Sequence, residues 1–233
     1  MNKIKYIIGC ALFAVVSSCD VDNYEQPSAE LHGTFIDAGT NQPLAQDIVN
    51  GTVIELIEHG WVKGQTNITQ TLVVKGDGTY KNSAIFPGKY LVRAVRGNFQ
   101  NIAAIDTVNI TGSTKLDFSV TPYLRIKEPS IVKVGTKVTA TFKIEQTTTQ
   151  NITRIGLYVH PNPNVGGPMT LTSRVETTLN RVATPTETFS ITIDLAANST
   201  TLIPGQQYYF RIGVLSSAGS AKHNYAPAVR ITI

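Results

Sequence analysis

Short stretches of alternating apolar and polar residues, separated by turn residues, run along the chain from residue 31 onward. Their period of two, rich in β-branched and aromatic side chains, predicts β-strands, and no helical period interrupts them. The Asp77-Gly78 pair between two apolar runs predicts a tight hairpin. This pattern is typical of a β-sandwich. The strands predicted in the first half cover residues 31–37, 51–57, 69–74, 89–95, 102–110 and 115–120.

The second half shows the same alternation, broken by a proline-rich run at 161–168 that cannot form regular structure. Residues 202–212 resemble strand F of an immunoglobulin-like or fibronectin type III sandwich. In that family a tyrosine at the start of the strand bonds back to the preceding corner, and either Tyr208 or Tyr209 fits. The strands predicted here cover residues 124–126, 138–144, 152–160, 188–195, 207–214 and 229–233.

The two halves are not copies of one another, so the sequence predicts an all-β chain of two different β-sandwich domains in tandem. We place the first domain at residues 30–121 and the second at 122–233. Pro122 lies at the boundary, where it predicts a short, stiff connection. Residues 1–18 and 19–29 precede both domains as a signal peptide and a tether.

The first residues have the pattern of an export signal. Lys3 and Lys5 precede an apolar run at 6–16 that is too short to span a bilayer as a helix. Val16-Ser17-Ser18-Cys19 resembles the bacterial lipobox, which implies cleavage before Cys19 and a diacylglycerol on its thiol. The alternative is ordinary signal cleavage that leaves Cys19 as an unpaired thiol. The acidic residues of 20–29 resemble the signal that sends Bacteroidetes lipoproteins to the outer face of the outer membrane.

Three blocks, at 36–44, 76–80 and 86–90, resemble the transthyretin-like, carboxypeptidase-regulatory-like sandwich. In these turns we expect Gly39 and Gly78 to adopt positive φ. Together with 22–27 and 30–33, these blocks are similar to Bacteroidetes lipoproteins of the domain-of-unknown-function 3823 (DUF3823) family. The resemblance implies a place in a polysaccharide-utilisation locus, with importer proteins of the same locus as partners. It supplies neither an activity nor functional residues.

Charge and cysteine content exclude several classes of function. Removing Lys3 and Lys5 with the signal takes the net charge from +4 to +2, and the remaining basic residues are scattered, so we expect no nucleic-acid partner. With Cys10 removed and Cys19 acylated, no disulfide or cysteine nucleophile remains. The four histidines lack metal-binding spacing, and we expect no cofactor.

No catalytic motif is recognisable. Glu55 and Glu58 lie close in sequence, but residues three apart on a strand face opposite sides, so a glycosidase carboxylate pair is not expected. Aromatic rings are the better binding feature because sugars stack on them. Trp61, between two glycines, and Tyr225, near His223, are the candidate ligand-binding residues, although Trp61 capping the first core is an equal alternative. The loop 161–168 could shape a rim.

These observations lead to three hypotheses. The leading one is a non-catalytic surface lipoprotein, lipid-anchored in the outer membrane at Cys19 and acting as an accessory glycan-binding or complex-forming component of a polysaccharide importer. The second is a structural or adhesive envelope protein, which an apolar patch or an open strand edge would favour. The third is a glycan-active enzyme, which requires two converging carboxylates.

Overall fold

The computed structural model of the chain describes residues 25–60, 69–171 and 173–233. It is built from β-strands joined by turns and loops, and these form two sandwiches in tandem. The predicted fold class is thereby confirmed. Within these ranges, no helix has the length and apolar character needed to cross a membrane.

The N-terminal sandwich packs two sheets face to face. In one sheet, β1 lies between β2 and β5 and also pairs in parallel with β8 and β9, and the other has the order β4-β3-β6-β7. The strands are β1 (Ala29–Asp37), β2 (Gln42–Pro43), β3 (Val53–Glu58), β4 (Thr69–Val73), β5 (Thr79–Ile85), β6 (Gly88–Arg96), β7 (Ile105–Ile110), β8 (Ser113–Lys115) and β9 (Phe118–Val120).

Alternation along β1 explains how this core forms. Every second residue of the strand is buried, so Leu31 and Phe35 point inward and are fully buried. Phe35 stacks on Phe118, with 4.7 Å between ring centroids. Tyr90 also lies fully buried in this core, and its hydroxyl donates to the carbonyl of Phe86 at 2.8 Å.

Two turn predictions for this domain need correction. Gly78 does adopt positive φ, at 85°, but the strands on either side of the turn do not pair as a hairpin. β4 pairs with β3 and β5 pairs with β1, in different sheets. Gly39 is not among the positive-φ glycines. A Cβ there would lie 2.5 Å from a nitrogen of the Arg125 guanidinium, so a larger residue would have to displace the end of that side chain.

The C-terminal sandwich packs the sheet β10-β11-β14 against the sheet β13-β12-β15-β16, in which β17 also pairs with β15. Its inner faces bury aliphatic and aromatic side chains from both sheets. The strands are β10 (Leu124–Val134), β11 (Lys137–Gln146), β12 (Ile152–His160), β13 (Val175–Arg181), β14 (Phe189–Asp194), β15 (Gln207–Ser216), β16 (Asn224–Tyr225) and β17 (Val229–Thr232).

The tyrosine corner falls on Tyr208. Its ring is buried in the core, while its hydroxyl donates to the Thr201 carbonyl at 3.3 Å and accepts the Ile203 N–H at 3.0 Å. Tyr209 points to the opposite face of the sheet, because side chains alternate along β15. The alternative that the sequence left open is thus resolved.

Candidate functional site

The N-terminal domain docks on the outer face of the sheet that contains β12 and β15. Tyr158, Val165 and Tyr225 form a small buried cluster on this face, and Ala45 of the N-terminal domain packs against it. The loop 161–168, which the sequence suggested as the rim of a binding site, therefore folds inward at Val165. This residue is fully buried and contributes to the contact between the domains. A second, smaller core thus joins the two domains.

Arg211 is the central charge of this junction. It lies on β15 and is only 5% exposed. Its guanidinium donates to the main-chain carbonyls of Val165 (3.0 Å), Ala226 (3.1 Å), Gln46 (3.3 Å) and Gly76 (3.4 Å). Two of these acceptors belong to each domain. Since a buried guanidinium must be satisfied by acceptors, the side chain ties both domains to one fixed geometry.

A carboxylate completes the centre. The Tyr225 hydroxyl lies 2.8 Å from both carboxylate oxygens of Asp47 and accepts the Gly167 N–H at 2.8 Å. The Arg211 guanidinium stacks over the Tyr225 ring, 4.2 Å from its centroid. Burial raises the pKa of Asp47 to about 6, although the hydrogen bond from Tyr225 and the charge of Arg211 oppose this shift.

Two asparagines extend the contact. Asn98 donates from Nδ2 to the carbonyl of His223 at 3.1 Å, and Asn224 returns a bond from its own Nδ2 to the carbonyl of Asn98 at 2.8 Å. Half-buried His223 also contacts the Tyr158 hydroxyl, 3.1 Å from Nε2. Burial, with repulsion from Arg154, lowers the pKa of His223 to about 4.

An ion pair forms a further contact between the two domains. Arg125, at the start of β10, binds Asp37, at the end of β1, through two bonds of 2.7 and 2.8 Å. Burial favours neutral Asp37, but the bonds from Arg125 and from the Gly39 N–H outweigh it, so the pKa of Asp37 lies below its usual value. These contacts fix the connection at Pro122.

The site residues predicted from the sequence meet different outcomes. Tyr225 lies in β16, is 8% exposed and has its ring covered by Arg211, so the ring is not an exposed surface on which a sugar can stack. Trp61 and Cys19 lie outside the described residues, so the predictions about them remain predictions.

Beside the contacts between the two domains, both domains line an open groove of about 720 Å³, which we call the junction groove. It is formed by Gln100 and Asn101 of the N-terminal domain and by Tyr123, the loop 147–150 and residues 217–219. The described residues that line it are uncharged and supply mainly amides and hydroxyls, which both donate and accept hydrogen bonds. Its volume lies in the range of small-ligand sites.

Thr148 is the unusual residue of the junction groove. Its Oγ1 is buried and has no hydrogen-bond partner among the described residues. Its neighbour Thr147, by contrast, is bonded to Gln100, whose Nε2 lies 3.3 Å from Oγ1 of Thr147. A buried hydroxyl without a partner costs free energy, so a ligand hydroxyl that reaches Thr148 would recover that cost.

Metal sites and glycosidase carboxylate pairs both require side chains that converge. In the described part of the chain, no group of three or more His, Cys, Asp or Glu side chains is placed to hold a metal ion. Glu55 pairs with Arg93 at 2.6 Å on the exposed face of β3, whereas Glu58 lies beside Tyr90 and Gly88 on the other face. As predicted, these two carboxylates do not converge.

Comparison with known structures gives relatives over most of the chain. A "putative carbohydrate binding protein" from Bacteroides uniformis is 31% identical, with a TM-score of 0.82, and the match covers 89% of this chain and 100% of that one. A DUF3823 family protein from Parabacteroides merdae, 23% identical, shares the fold with a TM-score of 0.74 over 89% of this chain and 100% of its own. No curated protein matches the chain.

Two family models match in tandem, one described as the N-terminal domain of a protein of unknown function (DUF3823), at residues 29–121, and the other as a domain of unknown function (DUF3823_C), at residues 124–230. Together they cover most of the chain, and the resemblance inferred from the sequence is confirmed. The chain belongs to the DUF3823 family.

Proposed function

We propose that the protein is a non-catalytic lipoprotein of the outer cell surface that binds polysaccharide in the junction groove, as an accessory component of a polysaccharide importer. The observation that carries the proposal is the groove itself, with its uncharged polar lining and the unpaired hydroxyl of Thr148. Its amides and hydroxyls complement the hydroxyls of a neutral sugar, and Tyr123 adds an aromatic ring to its lining.

Two further observations support carbohydrate as the ligand. The relative from Bacteroides uniformis is called a putative carbohydrate binding protein. The groove is also built by both domains across a junction that Arg211 and Arg125 hold in place. A preformed groove loses little conformational entropy when an extended ligand binds.

Affinity electrophoresis of the chain from Asp20 onward, in gels that contain neutral plant, host and fungal polysaccharides, tests this proposal. We expect retention on at least one of them. Thr148→Val should weaken it about threefold to tenfold, since one hydrogen bond contributes about 1 kcal/mol, while leaving stability unchanged or higher because an unpaired buried hydroxyl is removed. Thr71→Val, on exposed β4, is the matched control and should bind normally.

The outcomes separate the candidate sites. Equal retention of wild type and Thr148→Val would exclude the junction groove. Loss of retention in Trp61→Ala alone would place the site at the ring that the sequence indicates. Failure of every neutral polysaccharide to retard the wild-type chain would overturn neutral-glycan binding.

The anchor requires its own experiment. Cells that express the full chain should incorporate labelled palmitate, and Cys19→Ala should abolish the labelling and release the protein from the membrane fraction. Exposure to external protease in intact cells tests the outward orientation. A membrane-bound Cys19→Ala variant would contradict the lipid anchor.

Protein contact is the second candidate function. Val132 and Val134 on β10 are 50% and 74% exposed, and this strand pairs only with β11 in the described part of the chain. Exposed apolar side chains on a sheet edge favour docking of another protein. Recovery of an importer subunit by the wild-type chain, but not by Val134→Lys, would support this role.

A further inference from the structure

Three side chains lie side by side on the same outer sheet face as the junction, and one of them, Tyr209, packs against the buried cluster there. His160 of β12 is the cross-strand neighbour of Tyr209 on β15, and Tyr209 is the neighbour of Arg230 on β17. His160 and Tyr209 are half-buried and Arg230 is exposed. With adjacent strands about 4.8 Å apart, this outer row extends about 10 Å across the sheet.

The outer row presents hydrogen-bond donors without partners. His160 Nδ1 accepts the N–H of Asn162 at 3.0 Å, so in the neutral ring Nε2 carries the hydrogen. Neither this Nε2–H nor the Tyr209 hydroxyl has a hydrogen-bond partner in the described part of the chain. Arg230 makes no ion pair with a described carboxylate, and its guanidinium lies 5.8 Å from the centroid of the Tyr209 ring.

The buried junction shows what the same combination of groups binds. There a guanidinium over a tyrosine ring, Arg211 over Tyr225, lies beside the carboxylate of Asp47, which the tyrosine hydroxyl contacts at 2.8 Å. Tyr209 and Arg230 repeat this pair on the same sheet face, without a carboxylate from the described chain. A guanidinium and a phenol together favour an anionic oxygen group, while the ring face favours a sugar.

We propose that the outer row of His160, Tyr209 and Arg230 binds the anionic group of an acidic sugar. The group is either the carboxylate of a uronate or a sulfate ester. Arg230 supplies the charge, Tyr209 the stacking surface and a hydroxyl donor, and His160 a further N–H. This site is separate from the junction groove, whose lining is uncharged, so it holds whether or not that groove binds neutral glycan.

Isothermal titration of the chain from Asp20 onward tests the outer row with three probes: trigalacturonate, a sulfated chondroitin disaccharide and neutral cellotriose. We expect at least one acidic probe to bind at least tenfold more tightly than cellotriose. Arg230→Gln and Tyr209→Ala should each weaken that binding about tenfold. Lys89→Gln, an exposed cation of β6 in the other domain, removes the same charge and should leave it unchanged.

The probes also identify the ligand group. Preference for trigalacturonate assigns a carboxylate, preference for the disaccharide assigns a sulfate ester, and binding of both assigns the shared anion. Equal affinity for the acidic and neutral probes would overturn the proposal, as would an equal loss in Lys89→Gln and Arg230→Gln. Thermal unfolding of each variant checks the fold, and Arg230→Gln, at an exposed position, should unfold as the wild type does.

Discussion

Two arginine–tyrosine pairs on one sheet face differ in burial and in whether a carboxylate of the chain lies beside them. Arg211 and Tyr225 are buried under the N-terminal domain, with the guanidinium 4.2 Å from the ring centroid, whereas Arg230 and Tyr209 face outward at 5.8 Å. The buried pair has its anion in Asp47 of the same chain. The same pair of groups joins the two domains where it is covered, and where it is not covered we propose that it binds an acidic sugar.

The largest effect should come from removing the two arginines in turn. Arg211→Met leaves four main-chain carbonyls and the nearby Asp47 without their cation, so we expect a loss of about 3–5 kcal/mol in the free energy of unfolding. Arg230→Met, at an exposed position, should change stability by less than about 0.5 kcal/mol. Urea denaturation at pH 7 measures the free energy of unfolding of both variants. Similar losses in the two variants would contradict the difference between the buried and the exposed pair.

Asp47, beside the buried pair, should make the free energy of unfolding depend on pH. Folding raises its pKa from 3.8 to about 6. The folded state therefore holds a proton between those values that the unfolded state has lost, and stability rises as the pH falls through this window, by about 3 kcal/mol. The stability of Asp47→Asn relative to wild type should accordingly fall by about 3 kcal/mol between pH 7 and pH 4. A difference that does not vary with pH would contradict the buried carboxylate.

His223 should act in the opposite direction. Its pKa falls from 6.5 to about 4 on folding, so the unfolded state binds the proton first and stability is lost as the pH falls through that range. In the wild type, the opposite pH-dependent contributions of Asp47 and His223 to the free energy of unfolding nearly cancel. His223→Gln should therefore gain about 3 kcal/mol relative to wild type between pH 7 and pH 4, measured by the same denaturation series. A loss would show that His223 is not buried as described.

The smallest expected effect lies at the ion pair between half-buried Arg125 and buried Asp37. Because the folded pKa of Asp37 is lowered, its contribution is present above its usual value of 3.8 and is lost as the pH falls through the lower folded pKa. Asp37→Asn should cost about 2 kcal/mol at neutral pH. The cost should vanish in strong acid, and a cost that persists there would exclude the charge as its source.

Much of the fold could be predicted because it is local. The alternation at β12 gave its bounds, Ile152–His160, and the turn at Gly78 was recognisable from its residues. The strand β13, with the sequence VETTLNR, was missed because most of its side chains are exposed, so no buried face imposes alternation. The pairing partners of β4 and β5 were missed. These strands follow one another in the chain but pair with β3 and β1 in different sheets, and local sequence does not determine which distant strand becomes the partner.

The junction could not be predicted from the sequence. Tyr225 reaches Asp47 across 178 residues of chain, and no periodicity reports such a contact. The one available signal was Arg211, a charge within the apolar run of β15, which suggests a buried partner. Tyr225 was singled out as a binding residue for its ring, but its binding partner is the other domain of the same chain.

Glycan binding in the junction groove is the central claim, and amide-shift mapping by NMR tests it most directly. An oligosaccharide from the polysaccharide that retards the chain in gels would be titrated into the labelled protein. We predict shifts that cluster at residues 100–101, 147–150 and 217–219, with the same pattern weakened in Thr148→Val. Shifts confined to other surfaces, or no shifts at saturating concentrations of the oligosaccharide, would contradict the claim.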